Sequence, residues 1–345
     1  MNLLIRADAS VGMGTGHVMR CLALAQAWQD AGGRAAFAMA DRTEAIDGDI
    51  RAKGIRLMRI QKTAGSEEDS RELERLARDV RAEWVVLDGC QFGLSYQRSL
   101  RNLGFRILLI DDGESAKSVS ADVLLNQNYG ANASLYQDCE PSCRLLLGSD
   151  FILLRREFSR WVGWRRNIGE HASQLLVSMG GSDPDNTTLH ALEALKSLEI
   201  EGLAITVLVG GSNARRFESA GRSWNTGVRF LHNISDVPSI MAEADIAIVV
   251  GGGTLWEALF MKCAVLSYTR TPFQARVVRG LEDIGAAISL GNVHDLDHWT
   301  VARKIREVVS SRDIRTKLSG EAERIVDGLG ARRVVDYMLT QTVRA

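Results

Sequence analysis

The stretch Gly12-Met-Gly-Thr-Gly-His-Val-Met-Arg-Cys21 limits what this chain can fold into more than any other. Before it an apolar run, Leu3-Leu4-Ile5, ends in Arg6-Ala7-Asp8. After it Val18, Cys21, Leu22, Ala25 and Trp28 fall at helical spacing until Gly32-Gly33 stops the pattern. The order is strand, glycine turn, helix, the opening of a βα unit. Glycines at alternate positions, Gly12, Gly14 and Gly16, let the backbone approach a ligand closely beside the amide groups of a helix start. His17 is then the first or second helical residue, at the mouth of the turn. The helix dipole disfavours an imidazolium there, so a neutral imidazole is expected, the state a general base needs. The same stretch also reads as a plain tight turn or a dinucleotide fingerprint. Against the fingerprint, the spacing is not Gly-x-Gly-x-x-Gly, and an imidazole stands where that motif packs its third glycine.

At 345 residues the chain is long for a single core, and two domains are expected. Lys and Arg number 42 against 43 Asp and Glu, which gives no electrostatic case for a nucleic-acid or membrane partner. Met1-Asn2-Leu3 runs straight into a strand, so no signal peptide is expected, and no apolar run is long enough to span a bilayer. Five scattered cysteines suit a reducing cytoplasm. Cys139 and Cys143 have no second pair or close histidine to complete a zinc site and read as structural thiols.

The first half alternates strands and helices. Strands are predicted near Arg34–Met39, Ile55–Ile60, Trp84–Leu87, Ile107–Ile110 and Val123–Leu125. Ser66-Glu-Glu-Asp69 reads as a capping box for a helix carrying Leu73, Leu76, Ala77 and Val80. Polar residues gather after the strand ends: Asp88, Asp111-Asp112, and Asn126-Gln-Asn128. An open parallel sheet places its ligand crevice there; a helix cap is the commoner case for each carboxylate taken singly, but their repetition at successive strand ends favours a site. From Phe151 to Arg166 the pattern becomes that of a connecting segment, and the boundary is expected at Asn167–Ser173.

The second half restarts the plan. Leu175–Val177 is a strand, Met179-Gly-Gly-Ser-Asp-Pro184 a turn, and Asn186–Leu198 a helix. Ile205–Val209 leads into Gly210-Gly-Ser212, and Ile246–Val250 meets Gly251-Gly-Gly-Thr254 before a helix over Leu255–Met261. That last turn can present several N–H groups to a pyrophosphate, and Gly180-Gly181-Ser182 reads equally as a second cradle or as a plain turn. Glu257, three residues beyond Thr254, is expected in the first turn of its helix, where a carboxylate either accepts from a ribose diol or simply suits the dipole. His171, His190, His294 and His298 read as surface or helix positions, and His232, just after a strand, as a binding residue or, the commoner case, a loop residue. Walker, Gly-x-Ser-x-Gly and His-Glu-x-x-His motifs are absent from the sequence. The expected fold class is α/β, two Rossmann-like halves facing across a cleft: residues 1–166 with the base, residues 167–325 with the nucleotide, and a closing helix over 326–345 expected to pack back on the first half.

Several short motifs, in order, resemble the GT-B nucleotide-sugar enzymes, and among them the UDP-sugar hydrolases of pseudaminic acid biosynthesis. They are Ile5–Asp8, Gly14-Thr15-Gly16-His17 with Arg20, Asp111-Asp112, Asp122 through Asn126-Gln-Asn128, and Gly148 through Arg155-Arg-Glu-Phe158. Met179–Asp183 and Gly251–Glu257 complete the series. The resemblance implies that His17 activates a water against the anomeric carbon, with UDP leaving and the configuration inverted. It implies substrate contacts from Asp8, Gly14, Thr15, Gly16, Arg20, Asp88, Asp112, Asn126 and Asn128 in the first half. In the second it implies Gly180, Gly181 and Ser182, the backbone near Ile234 at the uracil, Gly252, Gly253, Thr254 and Leu255 at phosphate and sugar, and Glu257 at the ribose. The implied substrate is UDP-2,4-diacetamido-2,4,6-trideoxy-β-L-altrose, with water as the second reactant and neither cofactor nor metal. The family shows Asp-His-Tyr after the fourth strand where this chain has Asp88-Gly89-Cys90, which removes a phenol from the sugar side. A second reading is an inverting glycosyltransferase resembling the lipid II N-acetylglucosaminyltransferase, in which the same base deprotonates an acceptor hydroxyl. A third is a sensor that binds a nucleotide sugar without turnover.

Overall fold

The computed structural model describes residues 1–10, 12–113, 118–198, 200–210, 227–232, 234–295 and 297–342. Gly211 and Ser212, the rest of the glycine turn predicted at Gly210, lie outside them. The chain divides into two compact units, Met1–Arg156 with Gly328–Ala345, and Glu157–Asp327. The segment 157–166 groups with the second unit because its arginines bond there. The Arg166 guanidinium donates to the carbonyls of Met241, Ala242, Ala244 and Met261, and Arg160 donates to Asp236 and Ser239.

The first unit is built on β1 (Asn2–Ala7), β2 (Arg34–Met39), β3 (Arg56–Arg59), β4 (Trp84–Asp88) and β5 (Arg106–Ile110). After them come the short β6 (Ser118–Val119), β7 (Val123–Asn126), the short β8 (Asp138–Cys139) and β9 (Arg144–Leu147). The main sheet is parallel, in the order β3-β2-β1-β4-β5-β7-β9, while β6 pairs with β8 alone. Both faces are covered, so the strands read as continuous apolar runs. Leu3, Ile5, Trp84 and Val86 pack on the side of the Gly16–Asp30 helix, and Leu4, Val85 and Leu87 on the other. The helix buries Val18, Cys21, Leu22, Ala25 and Trp28 at 0–1% exposure, worth about 1.5–3 kcal/mol for each large apolar side chain. The closing Gly330–Thr342 helix lies against it, placing Val334, Val335 and Met338 in the same cluster.

The second unit repeats the plan with β10 (Gln174–Ser178), β11 (Ala204–Val209), β12 (Val228–His232), β13 (Ile246–Val250), β14 (Ala264–Thr269) and β15 (Ala287–Asn292). The order is β12-β11-β10-β13-β14-β15, again parallel. In each sheet the strand order reverses beside the first strand, at β1/β4 and at β10/β13, where open α/β sheets leave a crevice at their carboxyl ends. Among the described residues no helix is long and apolar enough to cross a membrane, and all five cysteines are free thiols.

Candidate functional site

In the first unit the reversal point carries the glycine turn on β1 and Asp88 at the end of β4, with Ala7 paired to Asp88 across the two strands. The turn closes when the Gly14 amide donates to the Ser10 carbonyl at 2.8 Å. Gly14 takes a φ of +88°, which a side chain rarely tolerates. The helix starts at Gly16 with Thr15 as cap. Thr15 makes no side-chain capping bond, and no acidic residue lies in the first turn. The leading amides of this helix have no carbonyl four residues back to bond.

His17, Arg20 and Cys21 follow at the spacing that puts them on one helical face, and all three reach Asp88. The His17 Nδ1 lies 2.6 Å from Asp88 Oδ1. Arg20 donates to both Asp88 oxygens, at 2.7 Å from Nε and 2.6 Å from Nη2, and the Cys21 thiol donates to Oδ2 at 3.4 Å. The same guanidinium donates to Asp112 at 2.7 and 3.2 Å. From Asp112 the chain of bonds runs inward. Asn128 Nδ2 donates to Asp112 and to Asn126 Oδ1, each at 2.9 Å, Asn126 Nδ2 donates to Tyr136 at 2.8 Å, and the Tyr136 hydroxyl donates to Asp111 at 2.9 Å. The ends of β1, β4, β5 and β7 are thus tied by one polar network. Its solvent-facing members are His17 and Asp112, with side chains 29% and 31% exposed, whereas Asp88 is at 0%.

This geometry sets the imidazole's tautomer. An ionised carboxylate only accepts, so the 2.6 Å bond places the proton on Nδ1 and leaves the lone pair on Nε2. Arg20 Nη2 also lies 3.2 Å from Nδ1. It cannot donate to a nitrogen that already carries a proton, and the shorter contact to an anion decides the matter. Asp88 stays charged although burial pushes it up, because Arg20 and His17 hold it well below the usual carboxylate range. Burial also opposes the charge on Arg20, and Asp112 and Asp88 overcome it.

The same pairing overturns the electrostatic expectation for His17. The Asp88 charge, reinforced by its hydrogen bond, raises the imidazole above 6.5 against burial and the Arg20 charge. A full carboxylate at hydrogen-bond distance outweighs the partial charge of a helix terminus. His17 remains an acceptor at Nε2, over a higher pH range than the helix dipole alone implies.

The structure brings together His17, Arg20, Asp88, Asp112, Asn126 and Asn128 of the sequence-predicted residues. It separates Asp8, which is 1% exposed and accepts from Arg6 at 2.6 Å and from the amides of Ala40 and Asp41 at 2.7 and 3.1 Å. Arg6 in turn donates to Asp69 at 3.1 and 3.2 Å, so this buried cluster anchors strand ends. Cys21 and Tyr136 were not anticipated. Cys21 was legible from its spacing behind His17, whereas nothing local in the sequence marks Tyr136. Cys90, where the resemblance implies a tyrosine, is exposed.

In the second unit the two expected cradles are adjacent. Gly180, with φ +81°, would bring a Cβ to 3.7 Å from Thr254 Oγ1, and a Cβ on Gly210 would sit 2.3 Å from the Gly181 carbonyl oxygen. The turns after β10, β11 and β13 therefore meet, and glycine at 210 is what allows it. Ser182 and Asp183 are buried, and Asp183 accepts from the amides of Thr187 and Thr188, each at 2.8 Å, at the start of the Thr187–Lys196 helix. After β13, Gly252 caps the Gly253–Phe260 helix with no acidic residue in its first turn. Glu257 lies beyond that turn, a correction to its expected place. The Gly252 and Leu255 amides are engaged within the turn, by Val250 and Gly252 carbonyls, and the Leu255 side chain is buried. The helix-start amides at Gly253 and Thr254 are the ones left to face an anion. Ile234 lies half-buried just past β12.

No protein-family model matches the chain. The chain is 23% identical over 279 residues to an uncharacterized protein of Methanocaldococcus jannaschii, covering 77% of this chain and 55% of that protein, so it spans about half of that relative. It is 25% identical over 264 residues to the UDP-2,4-diacetamido-2,4,6-trideoxy-beta-L-altropyranose hydrolase of Campylobacter jejuni, covering 76% of this chain and 89% of that one. Among solved structures it is similar to Acinetobacter baumannii MurG, with a TM-score of 0.65 at 17% identity over 98% of this chain and 99% of that one. It is likewise similar to S. aureus MnaA in a co-structure with UDP, with a TM-score of 0.70 at 12% identity over 99% and 96% of the two chains. The protein has the fold of these enzymes, two parallel α/β units of the GT-B type.

Proposed function

We propose that this protein is an enzyme that hydrolyses a UDP-linked 2,4-diacetamido-2,4,6-trideoxy sugar to free sugar and UDP. The observation that carries the reading is the 2.6 Å bond from His17 Nδ1 to buried Asp88, which leaves Nε2 as a proton acceptor at the mouth of an open turn. In the proposed reaction Nε2 takes a proton from water as the water oxygen bonds to the anomeric carbon. The bond from that carbon to the UDP oxygen breaks, UDP keeps the electron pair, and the configuration inverts. Asp88, shut off from solvent, positions the imidazole and does not itself meet the sugar, and Arg20 links Asp88 to the more exposed Asp112. Asp112, with Asn126 and Asn128 behind it, offers the polar surface for the sugar.

The second unit is assigned the nucleotide. Helix-start amides at Gly253 and Thr254, with the Gly180–Ser182 turn beside them, suit a departing diphosphate, and Glu257 is assigned to the ribose. The similarity to a hydrolase of such a sugar in Campylobacter jejuni supports the substrate class. Five free thiols suit a reducing cytoplasm as the place of action.

The test is incubation with a panel of UDP-sugars without acceptor, following UDP release. Release from a diacetamido-trideoxy sugar alone is the expected result. Release that requires an added acceptor alcohol makes the protein a transferase with the same base, and binding without release in any mixture makes it a sensor.

A further inference from the structure

Far along the chain from His17, the second unit gathers two imidazoles around one carboxylate. His190 and Glu193 stand one turn apart on the Thr187–Lys196 helix, and His298 opens the His298–Ser310 helix packed against it. Glu193 Oε2 lies 4.0 Å from His190 Nδ1 and 4.0 Å from His298 Nε2, and the three donor atoms fall within 4.8 Å of one another. The two rings lie 5.6 Å apart, tilted by 36°. An ion pair accounts for Glu193 with one histidine. It does not account for the second imidazole brought from another helix onto the same carboxylate. Nor does it account for His190 Nδ1, which is closed off from solvent with no hydrogen-bond partner among the described residues. A ring nitrogen shut off from solvent stays unsatisfied unless a hydrogen-bond partner or a metal ion engages it.

The geometry points to a divalent transition-metal site, with His190 Nδ1, His298 Nε2 and Glu193 as protein ligands and water completing a tetrahedron. Two nitrogens and one oxygen match Zn²⁺ rather than the all-oxygen shells of Mg²⁺ or Ca²⁺. Zinc bonds of about 2.0–2.2 Å set neighbouring ligand atoms about 3.3 Å apart. Side chains of half-buried and exposed residues cover the remaining distance by small rotations. Asp297 caps the His298–Ser310 helix and so sets a negative charge beside a helix start that would otherwise repel a cation. A bound ion would tie the helix that follows the Gly180–Asp183 turn to the helix over 298–310.

The experiment is calorimetric titration of the full chain with ZnCl2, with thermal unfolding in zinc and in EDTA as a second readout. One zinc per chain and a zinc-dependent rise in Tm are expected. His190→Ala and His298→Ala each weaken binding more than about tenfold and abolish the rise, while His294→Ala, on a neighbouring loop, behaves as wild type. Mg²⁺ gives no signal in any of them. Failure of the wild type to bind zinc, or undiminished binding by both variants, overturns the site. UDP-sugar turnover by His298→Ala is unchanged in either case, so the outcome is separate from that of the proposed hydrolysis.

Discussion

The chain uses one device twice, a parallel strand running through glycines into a helix, and the proposed function puts the two copies to different chemical uses. At Gly12–Gly16 the helix carries His17, Arg20 and Cys21 on one face, all joined to Asp88 and through Arg20 to Asp112. At Gly251–Gly253 the helix offers backbone amides, and its first turn holds no acidic side chain. The first copy can move a proton, because a buried anion fixes which ring nitrogen is protonated and how strongly. The second can hold an anion, because N–H groups at a helix start cannot titrate and keep their charge at any working pH. Strand, turn and helix are alike in the two copies, and on the proposed reading the side chains of one helical turn separate acid–base chemistry from binding.

Removing the imidazole gives the largest expected effect. His17→Ala lowers turnover by about a hundred- to ten-thousand-fold and leaves UDP affinity unchanged, which UDP titration alongside the release assay checks. Comparable turnover in this variant would erase the distinction between the two turns.

Asp88→Asn sharpens the comparison by keeping the imidazole and removing its anion. A fall in kcat on the order of ten- to a hundredfold is expected, together with a shift of the pH profile. In the wild type the imidazole is raised above 6.5 by Asp88. It is protonated and inactive below its own pKa, so activity is lost as pH falls through a value above 6.5. The variant's acid limb lies at lower pH. An acid limb that stays in place would detach Asp88 from the control of His17.

Gly210→Ala addresses the second copy through packing. The added methyl meets the Gly181 carbonyl oxygen at 2.3 Å, and spreading the adjoining turns costs about 1–3 kcal/mol. A lowered Tm and weaker UDP binding are expected, with the pH profile unmoved. Glu257→Ala is the smallest change, raising KM about tenfold, or 1.4 kcal/mol, with kcat nearly constant. The reverse pattern would place Glu257 in the chemistry and blur the division of labour between the copies.

Much of this was legible in residue order. Runs such as Trp84–Leu87 and Ile246–Val250 are strands because both sheet faces are covered, and Ser66 caps its helix as read, with its Oγ accepting from the Asp69 amide at 3.1 Å. The reciprocal half of the capping box does not form, because the Asp69 carboxylate goes to Arg6 and the Gly65 amide and the Ser66 amide donates to the Thr63 carbonyl. The polar residues after each strand also do collect at one sheet end. Their division was not legible. Asp8 and Asp88 both follow apolar strands, yet one is spent on Arg6 and backbone amides and the other on His17 and Arg20. Nothing local distinguishes them, because the choice depends on which strand lies next to which.

Sequence alone determined the alternation of strands and helices, the positions of the glycine turns and the presence of a histidine at the first of them. These follow from periodicity and backbone freedom, which act over a few residues. Only the tertiary structure decided that the imidazole is raised rather than lowered, that Leu255 offers no amide, and that His190 meets His298. Each depends on groups brought within a few ångströms by parallel pairing and helix packing. Coulomb and hydrogen-bond energies depend on those distances and not on separation along the chain.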